Sequence, residues 1–173
     1  AACKPEASRA TPSMTVQKGA APANGEVDLT ADDGQWVRPA KDFASTRFST
    51  LTEINTSNVK NLKSVGTFST GVLRGHESAP LVVGSTMYII TPFPHFVYAL
   101  DLTKPGYPAK WSYNPKPELA SQGVACCDVV NRGLVYDNGR LFFNTLDDHT
   151  IALDAATGKP VWDTKVGDIN LGE

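Results

Sequence analysis

Between residues 79 and 167 the chain runs in short apolar stretches broken by turn residues. Ala79-Pro80-Leu81-Val82-Val83-Gly84 leads into Met87-Tyr88-Ile89-Ile90-Thr91, then Val97-Tyr98-Ala99-Leu100-Asp101, then Lys110-Trp111. The succession returns as Leu134-Val135-Tyr136-Asp137, Arg140-Leu141-Phe142-Phe143-Asn144-Thr145, Thr150-Ile151-Ala152-Leu153-Asp154 and Val161-Trp162. Leu81 and Leu100 each stand 53 residues before their counterparts Leu134 and Leu153, and Trp111 stands 51 before Trp162. Each copy predicts strand, turn, strand, turn, strand, with an Ala-Leu-Asp run and a closing Trp. Gly84-Ser85, Asn138-Gly139 and Thr157-Gly158-Lys159 are fitting turn residues. Short strands recurring at this period predict propeller blades, here over 79–113 and 133–167. The expected fold is all-β: a partial β-propeller of about two Trp-closed blades, preceded by an extended N-terminal arm.

Upstream the pattern weakens. Residues 1–32 show no apolar period and are rich in Ala, Pro, Lys, Thr and Gly, so they read as an arm, and 33–173 as the partial propeller. Trp36 and Phe43 are bulky enough to anchor the arm on a core. Leu51, Ile54, Val59 and Leu62 fit one or two short helical turns, with Asn55-Thr56-Ser57-Asn58 available as a cap. Residues 63–70 alternate polar with apolar or small side chains, which predicts a half-buried strand. Between the two copies, 114–132 reads as a long insertion loop without regular structure, the kind of segment that carries function or meets a partner.

Composition narrows the classes. The chain has 173 residues, 41% apolar and 20% charged, enough for one soluble domain with a core. A net charge of −2 with no basic run argues against nucleic acid. No apolar stretch approaches the roughly 20 residues needed to span a bilayer. Twelve prolines and fourteen glycines argue for turns and against a helical bundle.

The three cysteines carry candidate chemistry. Cys126 and Cys127 are adjacent. Oxidised, they close a strained ring, because neighbouring Cα atoms lie only about 3.8 Å apart. Reduced, they are two small hydrophobes. Arg132, five residues on, is a fixed cation able to meet a carboxylate. A flat disc beside a cation suggests a seat for a flat anionic ligand. Cys3 follows Ala1-Ala2, which is similar to the end of a bacterial lipoprotein signal. It reads either as an acylated anchor or as a free thiol in a flexible tail.

Several runs together are specific enough to name a family. They are Asp33-Gly34-Gln35-Trp36, Phe68-Ser69-Thr70-Gly71, Arg74-Gly75-His76-Glu77, Val97-Tyr98-Ala99-Leu100-Asp101, Gly123 through Gly133, Asn144-Thr145-Leu146-Asp147 and Asp154 through Trp162. On these the chain resembles the N-terminal part of quinoprotein alcohol dehydrogenases. Methanol dehydrogenases binding pyrroloquinoline quinone (PQQ) with calcium or a lanthanide are the nearest group. The family fold is an eight-bladed propeller. The resemblance implies that Glu77 hydrogen-bonds the quinone's periphery and that Cys126 and Cys127 form a vicinal disulfide stacked on its ring. It implies that Arg132 and Thr145 contact the quinone's carboxylates. The residues alone allow blander roles: Glu77 capping a loop, Arg132 paired with Asp128, Thr145 as an ordinary strand residue, His76 as structural. Departures are small: Ser78 after Glu77, and a long arm ahead of Trp36.

In the family the metal-ligating glutamate and asparagine, the aspartate base and the tryptophan beneath the ring come later than Glu173. No catalytic residue and no metal ligand is therefore assigned in this chain, and by itself it is expected to hold no cofactor. Asp42, Asp128 and Asp147 have no spacing argument as bases. The leading expectation is a non-catalytic docking subunit of a periplasmic or membrane-associated electron-transfer complex. Partner subunits would cover its sheet edges and arm, with membrane attachment through Cys3. One alternative is a fragment of a PQQ-dependent dehydrogenase oxidising primary alcohols to aldehydes. The other is a stand-alone quinone-binding module using Glu77, Arg132 and Thr145.

Overall fold

The structure is a computed structural model that describes residues 35–42, 44–125 and 128–171. Eight short strands form two antiparallel sheets in sequence order. The first holds β1 (Leu81–Val83), β2 (Thr86–Ile90), β3 (Val97–Asp101) and β4 (Ala109–Tyr113). The second holds β5 (Val135–Asp137), β6 (Arg140–Asn144), β7 (His149–Asp154) and β8 (Pro160–Lys165). Both sheets are thus four-stranded meanders, the all-β pattern of propeller blades.

Three strands and a closing Trp were expected in each copy; the Trp in fact sits within a fourth strand. Ala99 faces Trp111 across the β3–β4 ladder, and Ala152 faces Trp162 across β7–β8. Both ladders shift register at the Ala-Leu step, Ala99/Leu100 and Ala152/Leu153. Such a bulge increases twist and re-aims the strand. The first hairpins differ by one residue from the sequence offset. Tyr88 faces Ala99 and Phe142 faces Ala152, so the counterparts are 54 apart in β2 and β6 but 53 apart in β3 and β7. Leu81 accordingly matches Val135 in the ladder, not Leu134. In the second sheet Asn138 and Gly139, at φ 44° and 75°, make the tight turn between β5 and β6. Both central residues at positive φ is the twist-matched hairpin geometry.

Alternation along each strand decides how the sheets meet. Leu81, Tyr88, Ile90, Val97 and Ala99 lie on one face of the first sheet; Leu141, Phe143, Ile151 and Leu153 lie on one face of the second. Together with Leu134 and Ala155 they form one core cluster, flanked by Val83, Trp111, Tyr113 and Tyr136. Trp111 Nε1 and the Tyr88 hydroxyl both donate to the Ala155 carbonyl, at 3.1 and 3.0 Å. The indole lies flat against Gly158, where a Cβ would come within 2.5 Å of the ring.

Upstream, Trp36 exchanges two 2.8 Å backbone hydrogen bonds with Val82, and Val37 is buried with its carbonyl accepting from Tyr136 N–H. This segment thereby stitches β1 to β5. Phe43 falls outside the described residues. The helical reading over 51–62 reduces to one 3-10 turn, Val59–Asn61, with Asn58 at its N-cap. The strand expected over 63–70 does not form. The chain there carries no ladder partner among the described residues and is mostly exposed, and an alternating pattern cannot make a strand alone. The insertion loop contains a short helix, α1 (Ser121–Val124), in place of wholly irregular chain.

Candidate functional site

Because both sheets are meanders, one end of them collects four connections: the lead-in before β1, the β2–β3 loop, the β4–β5 loop and the β6–β7 turn. The candidate residues lie there. Glu77 is in the lead-in, Arg132 in the β4–β5 loop and Thr145 opens the β6–β7 turn.

Arg132 and Glu77 meet: Nη1 lies 2.7 Å from Oε2. The guanidinium is 83% exposed and the carboxylate 47%, so this pair lies open to solvent at the mouth. Asp128, the other proposed partner, instead accepts its neighbour's N–H at Val129. Arg132 and Thr145 line one open cavity of about 240 Å³ with His95, Asn131, Asn144 and Leu146. The structure therefore brings Glu77, Arg132 and Thr145 together at one loop end. Cys126 and Cys127 lie outside the described residues, as does Cys3. His76 is taken up locally, its Nδ1 2.8 Å from the Arg74 carbonyl and its Nε2 3.0 Å from the Thr70 hydroxyl.

Beneath the mouth several polar groups are buried and hydrogen-bonded. Thr145 donates to Asp147 Oδ1 at 2.5 Å, and Asp147 Oδ2 accepts the Glu118 N–H at 2.9 Å. Burial alone would raise the Asp147 carboxyl; the Thr145 hydroxyl and the N–H groups of Glu118 and Asp147 outweigh it and hold the group below its ordinary value. Asn131 donates to the Asn144 carbonyl at 2.9 Å and accepts from Gly133 N–H at 3.0 Å. Gly133 needs its missing side chain: its φ is +125°, and a Cβ would lie 3.3 Å from Pro39. His95 is 1% exposed, and its Nε2 accepts the Leu146 N–H at 3.1 Å. Burial pushes its imidazole toward the neutral form, against smaller opposing effects of a Thr91 backbone bond and the Asp147 charge.

Sequence reasoning left out His95 and Asn131 and gave Asp147 no role. The available signal was Thr91-Pro92-Phe93-Pro94-His95, a proline-fixed turn ending in a polar residue, which suits a structural knot more than a loop tip.

The chemistry of this end is that of one wall. A guanidinium, a hydroxyl and amide groups suit the carboxylates of a flat ligand. Among the described residues no group of three His, Cys, Asp or Glu is placed to hold a metal ion.

A sequence profile for the β-propeller domain of the glucose/ethanol/alcohol dehydrogenases, designated PQQ, matches residues 36–172. The chain belongs to this PQQ family. It is 53% identical to a lanthanide-dependent methanol dehydrogenase of Methylacidiphilum fumariolicum (strain SolV), over 88% of its own length and 25% of that protein's. It is 47% identical to methanol dehydrogenase (cytochrome c) subunit 1 of Methylobacterium organophilum, over 84% and 24%. Among solved structures it is similar to a europium-containing methanol dehydrogenase, with TM-score 0.80 and 53% identity over 83% of this chain and 25% of that one. The quinohemoprotein alcohol dehydrogenase of Comamonas testosteroni gives TM-score 0.74 at 36% identity. The chain spans about a quarter of the length of the curated relatives it matches. Its two sheets are a partial propeller of the PQQ family.

Proposed function

We propose that this chain is one part of a quinoprotein alcohol dehydrogenase of the methanol dehydrogenase kind, and that its loop end is one wall of the PQQ site. The observation that carries the reading is the convergence of Glu77, Arg132 and Thr145 on one end of the paired sheets. Arg132 would grip a quinone carboxylate while Glu77 holds the guanidinium in place; Thr145, whose one hydroxyl proton goes to Asp147, would donate to a carboxylate only after turning that proton toward it. PQQ, when bound, supplies the two-electron chemistry that turns a primary alcohol into an aldehyde. The ligands of a calcium or lanthanide ion, the base and the remaining walls would come from residues other than these. In this reading the chain works in the periplasm, an oxidising compartment where a bridge between Cys126 and Cys127 would persist if formed.

The docking-subunit reading led in the sequence. High identity to catalytic dehydrogenases, together with an intact polar set at the loop end, supports the fragment reading better. The outer face of the second sheet supports it too. Val135, Phe142, Ala152 and Trp162 occupy there the ladder positions that Leu81, Tyr88, Ala99 and Trp111 use to cover the second sheet. Trp162 is 38% exposed and Val135 40%. A third sheet of the same make fits that face. The test is the gene beyond the codon for Glu173. An open frame continuing into further Trp-closed repeats is expected; an immediate stop codon would return the docking subunit to first place.

A further inference from the structure

His95 lines the same cavity as Arg132 and Thr145 but is itself buried, and it is not part of the strand core. Its imidazole packs among three connections and hydrogen-bonds across to one of them. It sits in the β2–β3 loop, with its ring edge-on to Phe93 at 5.8 Å. Its Nε2 takes the Leu146 N–H of the β6–β7 turn at 3.1 Å. Its Nδ1 packs 3.4 Å from the Asn131 amide nitrogen in the β4–β5 loop; with Nε2 accepting, Nδ1 carries the ring proton, so these two donors touch without a hydrogen bond. Leu146 directly follows Thr145 in the chain, and Asn131 directly precedes Arg132. Each ligand-facing residue is thus one peptide unit from an atom that meets His95. Neither Arg132 nor Thr145 is itself bonded to the imidazole: Arg132 pairs with Glu77 and the Thr145 hydroxyl with Asp147.

We propose that His95 is a positioning residue: it fixes the span between the Arg132 guanidinium and the Thr145 hydroxyl, and with it the grip of this wall on a ligand's carboxylates. The inference rests on the quinone reading above and adds to it a buried residue that acts through its neighbours. Direct bonds already link these loops, Phe93 N–H to the Val129 carbonyl at 2.8 Å and Glu118 N–H to Asp147 at 2.9 Å; the His95–Leu146 bond ties the β2–β3 loop to the residue after Thr145, and a small misplacement of an anchoring group costs much of its binding. The imidazole suits the task because a neutral ring offers one acceptor nitrogen in a fixed plane, which the Leu146 N–H requires.

Two variants test this in the complete polypeptide that carries these residues. H95L fills the space without an acceptor; H95Q can set its amide oxygen where Nε2 lies. PQQ affinity is measured by absorbance titration, and hydrogen–deuterium exchange is followed in the peptide containing Leu146. For H95L the expected results are PQQ affinity weaker by about tenfold or more, the scale of one unpaired buried donor, and faster exchange at Leu146. H95Q is expected to stay close to wild type in both. Faster exchange with unchanged PQQ affinity would overturn the positioning claim while leaving the quinone reading intact. Unchanged exchange in H95L would overturn it as well. Wild-type protein that takes up no PQQ would sink the quinone reading itself, and the Leu146 exchange would still decide whether His95 holds this geometry.

Discussion

Single side chains at the loop end divide into exposed groups that cost little to change and buried groups that cost much. The Glu77–Arg132 pair belongs to the first kind. Exposed ion pairs contribute about 0–1 kcal/mol, so E77Q is expected to shift the urea midpoint slightly while weakening PQQ uptake. A large loss of stability would mean that the pair is structural. Acid sensitivity comes from carboxylates outside this pair, Asp147 beneath the mouth and two more in similar turns. Asp101 accepts the Thr103 hydroxyl and N–H at 2.6 and 3.0 Å; Asp154 accepts those of Thr157 at 2.7 and 2.8 Å. These bonds hold the Asp101 carboxyl down at about 2 and lower that of Asp154 as well. A carboxyl lowered in the folded state stabilises the fold above its unfolded value of about 3.9 and loses that contribution as pH falls through the folded one. Urea unfolding from pH 5 downward should therefore show stability falling from about pH 4 toward about pH 2, and D101N should flatten the fall. An identical acid profile in D101N would contradict the assignment.

The contact between Trp111 and Gly158 is the joint between the two sheets. Replacing Trp111 by Ala removes a large ring and leaves a gap, a change that costs about 3–5 kcal/mol in packed cores. G158A and G139A separate the joint from simple backbone strain. Both glycines have positive φ, +70° and +75°, but only Gly158 has the indole against it. Strain of about 1–2 kcal/mol applies to both; G158A is expected to be clearly the more destabilising in thermal melts. Equal losses would mean that the indole moves aside freely. Sequence pattern revealed the repeated elements where burial has a period and missed them where it does not. Strands β3 and β7 announce themselves through Val97-Tyr98-Ala99-Leu100-Asp101 and its second copy. Strand β8 is exposed along its whole length, so only Trp162 marked it. Residues 63–70 alternate just as convincingly, yet pairing is a long-range property and none forms there. At the site, Glu77, Arg132 and Thr145 were legible through family motifs. The bond from Leu146 to His95 joins residues 51 apart and leaves no local trace.

For the whole molecule the two sheets pose one question: what lies against Trp162. Phe142 and Trp162 repeat the ring pair Tyr88 and Trp111, with centroids 6.0 and 5.9 Å apart. Only the earlier pair has a sheet beneath it among the described residues. In the 173-residue chain W162A should therefore cost less stability than W111A, because less packing is lost. In a longer polypeptide with a third sheet the two costs should converge, and failure to converge would place some other surface on Trp162. The most direct test of the whole account is mass spectrometry of the protein isolated from its native cells. Peptides from 79–113 and 133–167 should come from a polypeptide about three and a half times as long as this chain, since the 154 matched residues make up 25% of the relative's length, and PQQ should be released on denaturation. A polypeptide of 173 residues that carries no quinone would contradict the account.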